Sequence, residues 1–253
     1  MSIVSDFVKN NSLSELLLSI QKNPDHYLYE KRLTAMHVLI NGYHACYSWE
    51  SYSPQNDKFI TDTFPWFSDY VSERLSDSSE KHYLDKIKKI YISEDDAITN
   101  FVRLYEDYRC DYISSLSKGE VKLICHGKRE LDINKNPIIY YNSNQKYYLN
   151  LNTIRRLSGA AMPRPLSSKK LKTFFCGYYA YAKAYKIELD PHPGLCDFIQ
   201  NKYRGKTGED IFETLFINHE GEESLYKFYE HLDEFLLKNN MREYYDIFHK
   251  KFE

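Results

Sequence analysis

Nothing in the order of residues names a chemistry outright. Across 253 residues there is no nucleophile with an oriented base at a recognisable spacing, no cluster of metal ligands and no glycine-rich phosphate loop. The five cysteines (Cys46, Cys110, Cys125, Cys176 and Cys196) are odd in number and widely spaced, with no Cys-x-x-Cys pair. That usage argues against a disulfide framework and fits reduced thiols. No apolar run approaches the ~20 residues that a membrane helix needs. At the amino terminus, MSIVSDFVKNNSLSE places Asp6 and Lys9 where a secretory signal would need an apolar core. These absences predict a soluble, cytoplasmic protein with no metal and no cofactor.

Also missing is the dense basic stripe of a dedicated nucleic-acid binder. The formal net charge of −2 conceals an asymmetry: residues 1–115 hold 12 Lys+Arg against 18 Asp+Glu, and the remainder holds 22 against 18. An acidic half suits a basic partner, because complementary fields raise association rates. What is abundant is tyrosine, 24 beside 14 Phe. A tyrosine ring can sit in a core or interface while its hydroxyl reaches water or a partner. A codon bias towards Tyr, Lys and Asn is the simpler explanation of the count.

Helix signals dominate. Ser12-x-x-Glu15 forms a capping box ahead of Leu13, Leu16, Leu17, Leu18 and Ile20, and Asn23-Pro24 closes that helix. Leu33, Met36, His37, Ile40 and Tyr43 fit a helix over 31–50, with Gly42 inside it. Glycine costs ~1 kcal/mol relative to alanine there, so close approach by another segment is the expected reason for it. Pro65 suits the first turn of a third helix, Ser79 the cap of a fourth with Tyr83, Leu84, Ile87 and Ile90 inward, and Ser93 the cap of a fifth. The Glu94-Asp95-Asp96 start of the fifth complements the helix dipole. Further on, a helix is expected over 168–187, Pro193 opens another, Thr207 caps the next, Glu220-Gly221-Glu222-Glu223 leads into one more, and 241–252 forms the last.

Those later helices echo the earlier ones. FPWFSDYVSERL at 64–75 aligns with HPGLCDFIQNKY at 192–203, pairing Pro65 with Pro193 and Asp69 with Asp197. Gly42-Tyr43-His44-Ala45 finds a counterpart in Gly177-Tyr178-Tyr179-Ala180. Repeats of this size signal duplicated supersecondary units. Residues 116–166 differ: Val121, Leu123 and Cys125 alternate with polar residues, and Tyr140-Tyr141 and Tyr147-Tyr148-Leu149 read as short strands or an extended linker. The expected fold is therefore mainly α: a helical lobe over 1–115, a short β or extended segment over 116–166, and a related helical lobe over 167–253.

Each candidate chemistry has a plainer competitor. His37 and His44 lie seven apart on one helical face near Cys46, but no spacing supplies further ligands, which favours core histidines. Cys125-His126 and His192-x-x-x-Cys196 offer thiols beside histidines, yet both cysteines sit at positions that read as buried. Glu94-Asp95-Asp96 and Glu106-Asp107, with Asp111 one turn on, read as an acidic ridge rather than paired catalytic carboxylates. Arg155-Arg156, Arg164 and Lys169-Lys170-Lys172 are the only basic concentration, and without a recognised motif they read as an exposed linker.

One segment points further. Ile20-Gln-Lys-Asn-Pro24-Asp-His-Tyr27-Leu28, followed by Leu33 and Leu39-Ile40-Asn41-Gly42-Tyr43, resembles small helical bacterial proteins carrying a Pro-Gly-Met-Tyr-Leu-Gly segment. Asp25-His26 stands where that pattern has Gly-Met, and Tyr29 replaces its last Gly. The aromatic Phe64-Pro65-Trp66-Phe67 and acidic Ser93-Glu94-Asp95-Asp96-Ala97 pieces follow in the same order. Such proteins look like immunity partners of secreted polymorphic toxins. The resemblance implies a non-catalytic protein that binds and occludes a cognate toxin. With a basic surface on that toxin, the contacting set is expected to be Glu94, Asp95, Asp96, Glu106, Asp107 and Asp111, with Tyr105 and Tyr108 as anchors. A nucleic-acid-associated defence module and an enzyme with a cleft between the lobes are the alternatives.

Overall fold

A computed structural model describes residues 12–50, 65–79, 81–117, 142–156, 162, 164–190, 193–203 and 210–251. Among these there are twelve helices and no strand: α1 Ser12–Lys22, α2 Pro24–Tyr27, α3 Leu33–Glu50, α4 Pro65–Arg74, α5 Tyr83–Ile90, α6 Glu94–Ser117, α7 Ser143–Arg156, α8 Ser168–Ala184, α9 Leu195–Tyr203, α10 Ile211–Asn218, α11 Glu222–Lys238 and α12 Arg242–Phe248. The expected mainly helical class is what the chain adopts. No described helix is long and apolar enough to cross a membrane.

The helices group into two compact units. The first is built from α1, α4, α5 and α6; the second from Thr34–Glu50 of α3 together with α7 to α12. Sequence alone placed 31–50 in the amino-terminal lobe. Its glycine explains the different grouping. An ideal Cβ on Gly42 would lie 1.8 Å from the backbone oxygen of Phe174 in α8, and one on Gly177 would lie 1.9 Å from the backbone oxygen of Leu39. Each glycine faces the carbonyl three residues before the other, so α3 and α8 cross reciprocally, backbone against backbone. The tie is completed by Tyr43, whose ring meets Tyr181 edge-on at 5.1 Å. The two prolines paired by the expected repeat differ in their places. Pro65 opens α4, but Pro193 lies in the turn before α9, where Gly194 takes φ 85°.

In the first unit Phe67 is the hub. Its fully buried ring is edge-on to Tyr83, Phe101, Tyr105 and Tyr108 at 5.4–5.8 Å. Edge-to-face pairs add attraction beyond area burial. Lys86 is buried beside this core and its ammonium donates to the Ser72 hydroxyl at 2.6 Å and the Asp77 carbonyl at 3.1 Å. The α5 cap is His82, whose Nδ1 accepts from Leu84 N–H, rather than Ser79. Ile90, expected inward, is 45% exposed.

The second unit corrects the reading of residues 143–156 as strand or linker. Asn142 and Gln145 form a reciprocal capping box: Gln145 N–H donates to Asn142 Oδ1 at 2.8 Å and Asn142 N–H to Gln145 Oε1 at 2.9 Å. The helix that follows buries Tyr147 against Phe175 and Tyr178, and stacks Tyr148 on Tyr244 at 4.9 Å. Residues 118–141, including the alternating Val121-Leu123-Cys125 run, lie outside the described residues. Asn152, also buried, donates from Nδ2 to the carbonyls of Ile247 and Lys250, fastening the end of α12 onto α7. The cap expected at Thr207 is likewise outside the described residues; Asp210 caps α10, accepting from Phe212 and Glu213 N–H.

Candidate functional site

The acidic helix start is built as its sequence implies. Ser93 Oγ accepts from Asp96 N–H at 3.1 Å and donates to Asp96 Oδ2 at 2.6 Å, so the first turn of α6 is closed from both sides. Tertiary structure then occupies most of the carboxylates. Glu94 accepts from Leu33 N–H at 2.8 Å and pairs with Lys88 at 3.2 Å, and Asp95 pairs with Lys31 at 2.7 Å. Glu106 accepts from the Arg109 guanidinium and from Ser14 Oγ. Asp111 is bound by Arg74 at 2.8 Å and accepts from Tyr70 OH at 3.1 Å. Asp107 is exposed and meets no partner among the described residues. Five of the six expected contact carboxylates are thus engaged within the first unit.

The two tyrosines expected as anchors are not on the surface. Tyr105 and Tyr108 are 6% and 8% exposed, because their rings complete the Phe67 cluster. The large apolar side chain that does stand out beside the carboxylates is Ile92, 95% exposed, immediately before the Ser93 cap. Its flank is acidic on one side and carries half-exposed Ile90 on the other.

The remaining sequence candidates resolve individually. His37 lies 3.2 Å from the Asn41 amide nitrogen within α3, and burial pushes His44 down to about 4. No three His, Cys, Asp or Glu side chains among the described residues are grouped to hold a metal. Cys125, His126 and His192 lie outside the described residues. Cys196, read as a buried small residue, is exposed, yet its thiol is held above its ordinary value, first by partial burial and then by Asp197 and Asp210. A thiol raised in this way is a poor nucleophile at neutral pH.

Four of the six residues of the basic stretch are committed to the fold rather than laid out as a groove; Arg156 and Arg164 are exposed. Lys169 pairs with Glu213 at 3.0 Å over the Phe216 ring, and Lys172 pairs with Asp210 at 3.0 Å. Lys170 is buried and donates to the Pro165 carbonyl. Arg155 lies over the rings of Phe248 and Tyr229.

A constellation that the sequence reading passed over lies in the second unit. The Tyr203 hydroxyl, at the end of α9, is 2.9 Å from His219 Nε2 and 2.7 Å from His231 Nε2. His219 Nδ1 faces Glu223 Oε1 at 3.3 Å, whereas His231 Nδ1 is buried with no hydrogen-bond partner among the described residues. These residues are 16 and 28 apart along the chain, and no local periodicity links them.

No protein-family model matches the chain, and no curated protein or solved structure is significantly similar to it.

Proposed function

We propose that this protein acts stoichiometrically, as an immunity protein that binds a basic toxin domain and occludes its active site. The observation that carries the reading is Ile92, an aliphatic side chain almost wholly in water and set against the acidic first turn of α6. Burying an isoleucine is worth about 1.5–3 kcal/mol, and an apolar anchor beside an exposed polar rim is how binding energy concentrates in an interface. Asp95 and Asp107 supply the exposed rim, where charge governs association rate and partner choice more than affinity. Glu94 and Asp96 serve the fold instead, one holding Leu33 N–H and the other completing the Ser93 cap. The sequence resemblance to immunity proteins supports the same reading.

The test is co-expression with a toxin encoded beside the gene, followed by kinetics on the purified pair. Protection from the toxin and a one-to-one complex are expected. Ile92→Asp should weaken that complex by about tenfold to a hundredfold, mainly through faster dissociation. Joint reversal of Asp95 and Asp107 to Lys should slow association most at low salt. A toxin neutralised equally well by Ile92→Asp would remove this face from the interface; failure to protect against any neighbouring toxin would overturn the proposal.

A further inference from the structure

The Tyr203 hydroxyl has one proton and stands within hydrogen-bonding distance of two imidazole nitrogens, so at most one histidine can accept from it and at least one must donate to it. Glu223 decides which. Its carboxylate faces His219 Nδ1, placing the proton there and leaving His219 Nε2 as an acceptor. Tyr203 therefore donates to His219, and its oxygen accepts from His231 Nε2–H. That leaves His231 Nδ1 as a bare lone pair, which agrees with its burial without a donor. Every proton in the chain Glu223–His219–Tyr203–His231 is placed when both histidines are neutral.

We propose that this relay is an acid-released latch, in which Tyr203 fastens the end of α9 to the end of α10 and the middle of α11 only while His231 is uncharged. With Nε2–H already donated to the Tyr203 oxygen, a proton added at His231 must go to Nδ1, which is buried with no acceptor among the described residues. That leaves an unmatched donor in the core, and opening the latch relieves it.

The groups facing the relay frame the pH window. Glu223, Lys227, Glu230 and Glu234 approach from α11, and Lys202 from α9. Burial, then Lys202, holds His231 below its ordinary value, Glu230 and Glu234 opposing and Lys227 again lowering it. A group depressed in the folded state stabilises above its unfolded value and loses that contribution as pH falls, so the latch weakens on acidification. The neighbouring Lys202–Glu234 pair outlasts it, because Lys202 and Lys238 hold Glu234 down to about 2. Phe198 also keeps its contact with Phe235. Release is thus confined to the Tyr203 end of α9.

Imidazole nitrogen NMR on the whole chain reads the tautomers directly, and amide hydrogen exchange reads the latch. At pH 7.5 His219 is expected as the Nδ1–H form and His231 as the Nε2–H form. As His231 titrates, protection factors of amides 200–203, corrected for intrinsic exchange, should fall by about tenfold per pH unit, the slope of one linked proton. In the His44→Phe background, amides in the α3–α8 crossing should not follow. Tyr203→Phe should lower protection at 200–203 already at pH 7.5 while leaving α9 helical, with a smaller further fall on acidification than in the unmodified protein. His231 as the Nδ1–H form at pH 7.5, or protection at 200–203 indifferent to histidine titration in the unmodified protein, would overturn the latch without touching the toxin-binding proposal.

Discussion

Alanine at Gly42 tests the crossing that joins α3 to the second unit. The added Cβ would lie 1.8 Å from the Phe174 carbonyl oxygen, against a usual closest C···O approach of ~3.3 Å. Relief therefore needs the two backbones to part by roughly 1.5 Å, because the obstructing atom is main chain and has no rotamer to change. Parting opens the packing along the whole contact, where Leu39, Ile40, Phe174 and Tyr178 are all buried. Overpacking a core costs about 1–3 kcal/mol when side chains can adjust, and here they cannot, so about 3–5 kcal/mol is expected. Alanine returns ~1 kcal/mol through its better helix propensity, leaving a net loss of about 2–4 kcal/mol. Because Gly177 meets Leu39 in the same way, the double variant Gly42→Ala/Gly177→Ala should cost less than the two singles combined: helices already parted for one methyl have room for the other. Urea denaturation of the wild type, both singles and the double provides the cycle. An unchanged or raised midpoint for Gly42→Ala, or strict additivity in the double, would refute the reciprocal close approach.

Two further outcomes follow from buried polar groups. Asn152→Ala removes two hydrogen bonds to the end of α12 and should cost about 1–3 kcal/mol, with hydrogen exchange across 242–250 accelerated far more than elsewhere; uniform exchange would show that Asn152 is not the fastening. His44, pushed down to about 4 by burial, is neutral in the folded chain near neutrality and binds a proton more readily once unfolded. Its contribution is present above ~6.5 and lost as pH falls through about 4, up to about 3 kcal/mol, so His44→Phe should flatten the acid decline of the urea midpoint; an unaltered slope would refute it.

Sequence by itself determined the helical class and several helix starts, because those signals are local. Ser93 and the Pro65 opening act within one turn of the backbone they organise, and a glycine inside a helical pattern announces close packing whatever packs there. The capping box Asn142-x-x-Gln145 is equally local but was not read from the sequence, and the tyrosine run behind it, β-favouring by residue type, becomes helical core once it meets Phe175, Tyr178 and Tyr244. Tertiary structure alone decided which partner met Gly42, and that Glu94, Glu106 and Asp111 are held by Leu33, Lys88, Ser14 and Arg74. It also turned Tyr105 and Tyr108 inward, left Ile92 in water and brought Tyr203, His219 and His231 to one point. The reason is physical: caps and periodicity depend on neighbours a few residues away, whereas burial and charge pairing depend on which distant side chains arrive at the same place.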